Sequence, residues 1–290
     1  SRHINMKFKI LFFILILLST EISLETNNEN TYKILVYNTH GLPEIFIEDN
    51  PKFRFPIIGN KTQEYNISLI QEDYAHHKEL ESGLRKESIL IRGPQGSRFS
   101  CPICTGSGLT SIFNISKNIR IEVENEAFKT CSGWFSGAND CFAFKGFQVI
   151  KLIFPNNKEL FILNTHMDAG RRDSDRAARK EQLAQISKAV KEKVKDRPLI
   201  VAGDLNLYSK SPEDMKLLEN FKNDLNLTDS FKTTEIGQEW PILDYILYRN
   251  TSKNEIKILN LGEDTSFKSS EGPLSDHPAL FIEISFEFEV

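Results

Sequence analysis

Apolar residues along this chain fall in short unbroken runs that stop abruptly at polar residues. Thr31–Asn38 and the stretches 67–70, 147–154, 160–164, 198–201 and 245–248 are dominated by β-branched, aliphatic and aromatic residues and read as strands. Stretches 88–91, 108–113, 256–259 and 279–288 read the same way, and 119–123 alternates apolar with polar. Pro155-Asn156-Asn157 marks a hairpin turn between two of them. One helix is clear: Leu183, Ile186, Val190 and Val194 form a stripe opposite Lys, Glu and Gln, with Asp175 as the expected cap. Weaker helical spacing covers 74–84 and 212–221, and the segment carrying Pro43, Pro51 and Pro56 is expected to be an irregular rim loop. No repeat or low-complexity linker divides the chain. Strands outnumber helices, and hairpins mix with crossovers, which favours one mixed α/β sandwich over a doubly wound parallel sheet.

The polar residues that end these runs carry the candidate chemistry. They include Asn38, Glu72, His166, Asp204, Asn206, Asp244, Asp276 and His277. Asp204 and Asn206 lie two apart after the buried run, so an extended backbone points both the same way. Carboxylates, amides and two histidines together suit a hard, hydrated cation such as Mg²⁺, with the imidazoles left for proton transfer. Gly106-Ser107-Gly108 is no phosphate loop, because no Lys follows at the required offset.

The N-terminus changes the picture of where the protein works. Met6 reads as the start, with Ser1 to Asn5 upstream of it, then Lys7 and Lys9, then an apolar run over 10–18 that is too short to span a bilayer. Residues 1–24 are therefore expected to be a signal peptide and 25–290 a single catalytic domain of a secreted protein. Of the 290 residues, 36 are Lys or Arg and 40 Asp or Glu. An acidic balance argues against a dedicated nucleic-acid partner, and only Arg171, Arg172 and Arg176 cluster. Four cysteines in a secreted chain allow three disulfide pairings, and pairing of sequence neighbours gives Cys101–Cys104 and Cys131–Cys141. A zinc site is the less favoured rival. Asn60, Asn66, Asn114, Asn226 and Asn250 match the N-glycosylation pattern.

Taken in order, Asn38, Glu72, Asn164-Thr165-His166, Gly203-Asp204-Leu205-Asn206, Leu243-Asp244-Tyr245-Ile246 and Ser275-Asp276-His277-Pro278 resemble the six blocks of the endonuclease/exonuclease/phosphatase, or DNase I-like, superfamily. Asp140 five residues before Lys145-Gly146, the run His166-Met167-Asp168-Ala169, and Leu243-Asp244-Tyr245-Ile246 resemble the secreted neutral sphingomyelinases of bacterial type. Gln71-Glu72 is closer to the nucleases of the superfamily, and the long aromatic hairpin of the bacterial enzymes is not evident between Asn250 and Ser275. The resemblance implies a four-layer α/β/β/α sandwich of two mixed sheets. It also implies a monomeric Mg²⁺-dependent phosphodiesterase, for which Mn²⁺ or Co²⁺ can substitute, acting on sphingomyelin or a related phospholipid head group at a membrane surface. Glu72, Asn38 and Asp276 would hold the metal. His277 would be the general base oriented by Asp244, and Asp140 would support His166. Asp204 and Asn206 would position the attacking water, and Lys145, Asn206 and His166 would meet the phosphate. The alternative is a secreted DNase I-like endonuclease. A non-catalytic binding module on the same scaffold has no use for two histidines beside a metal site.

Overall fold

The computed structural model describes residues 30–42, 50–96, 106–134, 139–232, 243–252 and 254–288. The expected signal segment, Cys101 and Cys104 lie outside these residues. Thr31–Val290 forms one compact unit.

Two six-stranded sheets build it. The first contains β1 (Thr31–Asn38), β2 (Ile67–Gln71), β3 (Ile89–Arg92), β4 (Thr110–Phe113), β11 (Asn254–Glu263) and β14 (Leu280–Phe288), in the order β11-β14-β1-β2-β4-β3. The second contains β5 (Arg120–Ala127), β6 (Gly146–Ile153), β7 (Glu159–His166), β8 (Leu199–Asp204), β9 (Thr228–Asp229) and β10 (Asp244–Arg249), in the order β5-β6-β7-β8-β10-β9. Among the described strands of these sheets, only β1 with β2 and β7 with β8 run parallel; the other pairs are antiparallel. Each sheet is therefore mixed, as expected.

The unbroken apolar runs are explained by burial on both faces. In β1, Ile34 and Val36 enter the core between the sheets, whereas Leu35 and Tyr37 join an outer core with Phe55, Ile58 and Leu80. In β8, Ile200 and Ala202 face the inner core, whereas Leu199 and Val201 meet Leu183, Ile186, Leu218 and Phe221. Those outer partners belong to four helices, α1 (Pro51–Lys61), α2 (His77–Ser82), α3 (Asp173–Ala189) and α4 (Pro212–Leu225). The result is four layers, helix on sheet on sheet on helix.

Two local expectations are corrected. The segment with Pro51 and Pro56 is helix α1 rather than loop: Asn50 caps it by accepting from the Phe53 amide, and Pro51 sits in the first turn where no amide is needed. Pro56 is tolerated because Phe55, Ile58 and Gly59 around it are buried, so packing outweighs the lost hydrogen bond. Asp175 is not the N-cap of α3. The helix begins at Asp173, and Asp175, inside its first turn, reaches back 2.9 Å to the Arg172 amide. Val190–Val194 continues that helix as a π turn, which keeps Val190 and Val194 on the buried stripe.

Candidate active site

Topology gathers the polar strand ends at one edge. The chain leaves β1, β2, β7 and β8 there. Because β10 runs antiparallel to β8 and β14 antiparallel to β1, it enters both of those strands at the same edge. Register then places His166 beside Asp204, and Asp204 beside Asp244. Gly203 makes this close approach feasible. It has φ +134°, and a Cβ there would lie 2.0 Å from the Thr165 carbonyl oxygen. Three residues just beyond strand ends, His40, Glu72 and Asn206, have φ of +50°, +60° and +51°, turning the chain sharply out of the sheet at the site.

Asn38 is the hub. Its buried amide donates to Glu72 Oε1 and to Asp204 Oδ2, each at 3.0 Å, and so ties the two sheets' carboxylates together. Its Oδ1 accepts from the His40 amide at 3.1 Å. His166 Nε2 lies 3.6 Å from both Glu72 Oε1 and Asp204 Oδ2. On the far side, His277 Nδ1 lies 2.7 Å from Asp244 Oδ2, and its Nε2 is 3.9 Å from Asp204 Oδ2. Two sets of three, Glu72–His166–Asp204 and Asp204–Asp244–His277, each hold their donor atoms within 4.8 Å of one another. Carboxylate oxygens with an imidazole at that spacing form a donor set that fits a divalent cation.

The electrostatics separate the two histidines. Burial, then the charges of Lys145 and His277, hold His166 well below the usual range, so it is neutral at pH 7. Burial alone would also lower His277, but the hydrogen bond to Asp244 and the charges of Asp244, Asp204 and Asp276 outweigh it and push it up to about 10. Asp204 is raised to about 7 by burial and by the Asp244 charge.

Other expected site residues sit differently from their assigned roles. Asp140 does not meet His166. Its Oδ1 takes a 2.6 Å ion pair from Lys145, and its Oδ2 accepts from the Ala169 amide at 2.8 Å. Lys145 is the link, 3.0 Å from His166 Nε2 and 2.9 Å from the Met167 carbonyl. Burial alone would lower the Lys145 pKa, but the charges of Asp140, Asp168 and Glu72 raise it above the ordinary value. Asn206 directs its side-chain amide to the Met167 carbonyl, 2.9 Å away, rather than to the carboxylates. Asp276 lies outside both donor sets, with a side chain 61% exposed and paired with His40 at 3.3 Å. Asn164 is buried between the sheets and accepts from Gln71 at 2.8 Å, a structural contact. No local signal in the sequence marks His40 or Arg54: His40 follows Asn38 past the end of β1, and only the fold brings it to Asp276.

Cys131 and Cys141 form a disulfide, as expected, closing the loop that carries Asp140. In place of a long aromatic hairpin, the segment before Ser275 holds β12 (Lys268–Ser269) and β13 (Gly272–Pro273), two residues each. Among the described residues, no helix is long and apolar enough to cross a membrane. Arg176 is engaged by Asp173 and Asp214, and Arg171 stacks on Tyr208.

Comparison with solved structures decides the architecture. An endonuclease/exonuclease/phosphatase from Bacteroides vulgatus superposes with a TM-score of 0.62 at 18% identity, covering 89% of this chain and 99% of that one. The fold is DNase I-like. The same DNase I-like frame is shared by a sphingomyelinase C from Streptomyces griseocarneus, with a TM-score of 0.61 and 21% identity over 87% of this chain and 99% of that one. It is shared too by a beta toxin from Staphylococcus aureus solved with bound magnesium ions, with a TM-score of 0.62 and 18% identity over 88% and 99% of the two chains. No protein-family model matches the sequence. Sphingomyelinases of Mycobacterium bovis and Mycobacterium tuberculosis are 25% identical to this DNase I-like chain over 273 residues, 86% of it and 52% of theirs. The chain thus spans about half the length of the curated relatives it matches.

Proposed function

We propose that the protein is a secreted, divalent-metal-dependent phosphodiesterase that hydrolyses sphingomyelin to ceramide and phosphocholine at a lipid surface. The observation that carries the reaction type is the placement of two histidines around the carboxylates: His166 Nε2 lies 3.6 Å from both Glu72 and Asp204, and His277, held through Nδ1 by Asp244, turns Nε2 towards Asp204 at 3.9 Å. The likeness to sphingomyelinases supports the choice of substrate.

Glu72, Asp204, Asn38 and, from the mouth of the site, Asp276 are the residues that would hold a Mg²⁺ ion, for which Mn²⁺ or Co²⁺ could substitute. Such an ion would supply charge neutralisation for the phosphate and would offset part of the carboxylate field on His277. His277, oriented through Nδ1 by Asp244, presents Nε2 to take a proton from the attacking water. The buried Lys145 ammonium, which donates to the Nε2 of neutral His166, stabilises negative charge developing on the phosphoryl oxygens, and His166 helps to hold it there. Asn38 keeps the two carboxylates in register, and Asp140 keeps Lys145 in place.

The test is one Mg²⁺ buffer with three substrates: sphingomyelin in mixed micelles, phosphatidylcholine, and supercoiled plasmid. Phosphocholine should be released from sphingomyelin, little from phosphatidylcholine, and the plasmid should stay intact. His277→Ala should lower the lipid rate by ~10²–10⁴-fold. Plasmid nicking that disappears in His277→Ala while sphingomyelin is untouched would replace this reading with a secreted DNase I-like endonuclease.

A further inference from the structure

The mouth of the site carries a third histidine that the roles above do not use. His40 sits on a left-handed turn, φ +50°, two residues beyond Asn38. Its amide donates to Asn38 Oδ1 at 3.1 Å, and its carbonyl accepts from Arg54 Nη2 at 3.0 Å. The buried Arg54 guanidinium also donates to the Thr39 carbonyl at 3.0 Å and to the Leu274 carbonyl. One cation therefore pins the 39–40 turn and the segment entering Asp276 to each other. The next residue lies flush on the metal-site backbone: the Gly41 amide donates to the Glu72 carbonyl at 2.8 Å, and a Cβ at Gly41 would come within 2.3 Å of that oxygen. From this frame His40 Nδ1 meets Asp276 Oδ1 at 3.3 Å.

An ion pair between two freely moving surface side chains contributes little, because ordering both offsets the attraction. Here the backbone of one partner is already held on both sides, so the short imidazole has only its two side-chain torsions to lose. Asp276 is otherwise the most loosely held carboxylate of the site. Its carboxylate also accepts from the Ser275 hydroxyl at 3.3 Å, and its side chain is 61% exposed.

We propose that His40 is a positioning residue: it holds the Asp276 carboxylate at the mouth of the site, so that Asp276 adds its charge to the Glu72 and Asp204 set when a divalent cation binds. The inference rests on the metal-dependent reading of the site and not on sphingomyelin as substrate.

The experiment measures Mg²⁺ binding directly, by calorimetry on the substrate-free full chain, for the unaltered protein, His40→Gly, His40→Asn, Asp276→Asn and the double variant His40→Gly/Asp276→Asn. Glycine accepts φ +50° freely and removes the imidazole, so the fold is kept while the contact is lost. Asparagine tolerates the left-handed turn and offers an amide N–H to Asp276. His40→Gly should weaken Mg²⁺ binding by about 10-fold or more, as removal of a hydrogen-bond partner from a metal-ligating group does. His40→Asn should restore most of that loss. In the Asp276→Asn background, His40→Gly should add less than about 2-fold, since its partner is already gone. With bis(p-nitrophenyl) phosphate as a generic diester, the Mg²⁺ needed for half-activation should rise in His40→Gly while kcat at saturating Mg²⁺ holds. An unchanged Mg²⁺ affinity in His40→Gly overturns the proposal, and so do losses that multiply in the double variant. Failure of the unaltered protein to bind Mg²⁺ overturns it together with the metal reading. Failure to cleave sphingomyelin alone leaves it standing.

Discussion

Replacing Asp244 by Asn tests the centre of the mechanism, because it removes one charge and leaves the shape nearly unchanged. Asp244 is buried and accepts the 2.7 Å contact with His277 Nδ1, while its Oδ1 has no hydrogen-bond partner. An ordinary histidine titrates near 6.5 and His277 at about 10 in the metal-free protein, so the fold favours the imidazolium by roughly 5 kcal/mol. Burial opposes that preference, and Asp244 contributes its largest favourable parts. An opposite charge at contact distance is worth about one to three pH units, so in Asp244→Asn the imidazole should titrate that much lower. The amide also faces a dilemma. With its oxygen towards the ring, its NH₂ is buried where Oδ1 had no partner; with its NH₂ towards the ring, Nδ1 must accept and the proton moves to Nε2, the atom that should take one from water. Either outcome disrupts the base, and the Mg²⁺-dependent rate should fall ~10²–10⁴-fold.

The sign of the stability effect follows from the raised pKa. The stabilisation from charged His277 is fully present below pH 6.5 and is lost as pH rises through about 10. Asp244→Asn should therefore lose about 1–4 kcal/mol in mildly acidic buffer and progressively less above neutrality. The assay is an NMR titration of the imidazole protons in metal-free protein, with His277 assigned by its absence in His277→Gln, run alongside urea melts at two pH values. A His277 resonance in Asp244→Asn that titrates within about half a pH unit of the parent refutes the account, whatever the activity.

Two further outcomes are expected. Gly203→Ala should cost about 3 kcal/mol or more, since the new Cβ meets the Thr165 carbonyl at 2.0 Å with φ at +134°; Gly272→Ala, also at positive φ but with nothing within 4 Å, carries strain alone and should cost less, and equal melting temperatures for the two would contradict the close approach of β7 and β8. Removing the Cys131–Cys141 bond as Cys131→Ser/Cys141→Ser should cost about 3 kcal/mol for a loop of this length, with activity falling as the Asp140–Lys145 pair loosens; an unchanged melting temperature would place the bond outside the folded state's stability.

What the sequence determined by itself is most of the strands, the longest helix and the pool of reactive residues. Runs such as Ile67–Gln71 and Leu199–Asp204 declare buried strands because aliphatic residues dominate them and polar residues close them, a pattern carried by the local residues alone. The pairing of Cys131 with Cys141 was legible for the same reason, since partners ten residues apart are close before the chain folds. Local packing already escapes such reading: Pro56 sits in a helix because Phe55 and Ile58 find a core supplied by β1 and β2. At the site, tertiary structure decided almost every pairing. Asp140 and His166 lie close in space, yet a lysine stands between them, and nothing in the spacing of Asp140, Lys145 and His166 says which of the three touches which. His40 acquired a role only when antiparallel pairing of β14 with β1 brought Asp276 to it across 236 positions of chain. Hydrogen bonds and ion pairs act over about 3 Å, and contacts that short between distant positions are set by strand order and register, which no single strand encodes.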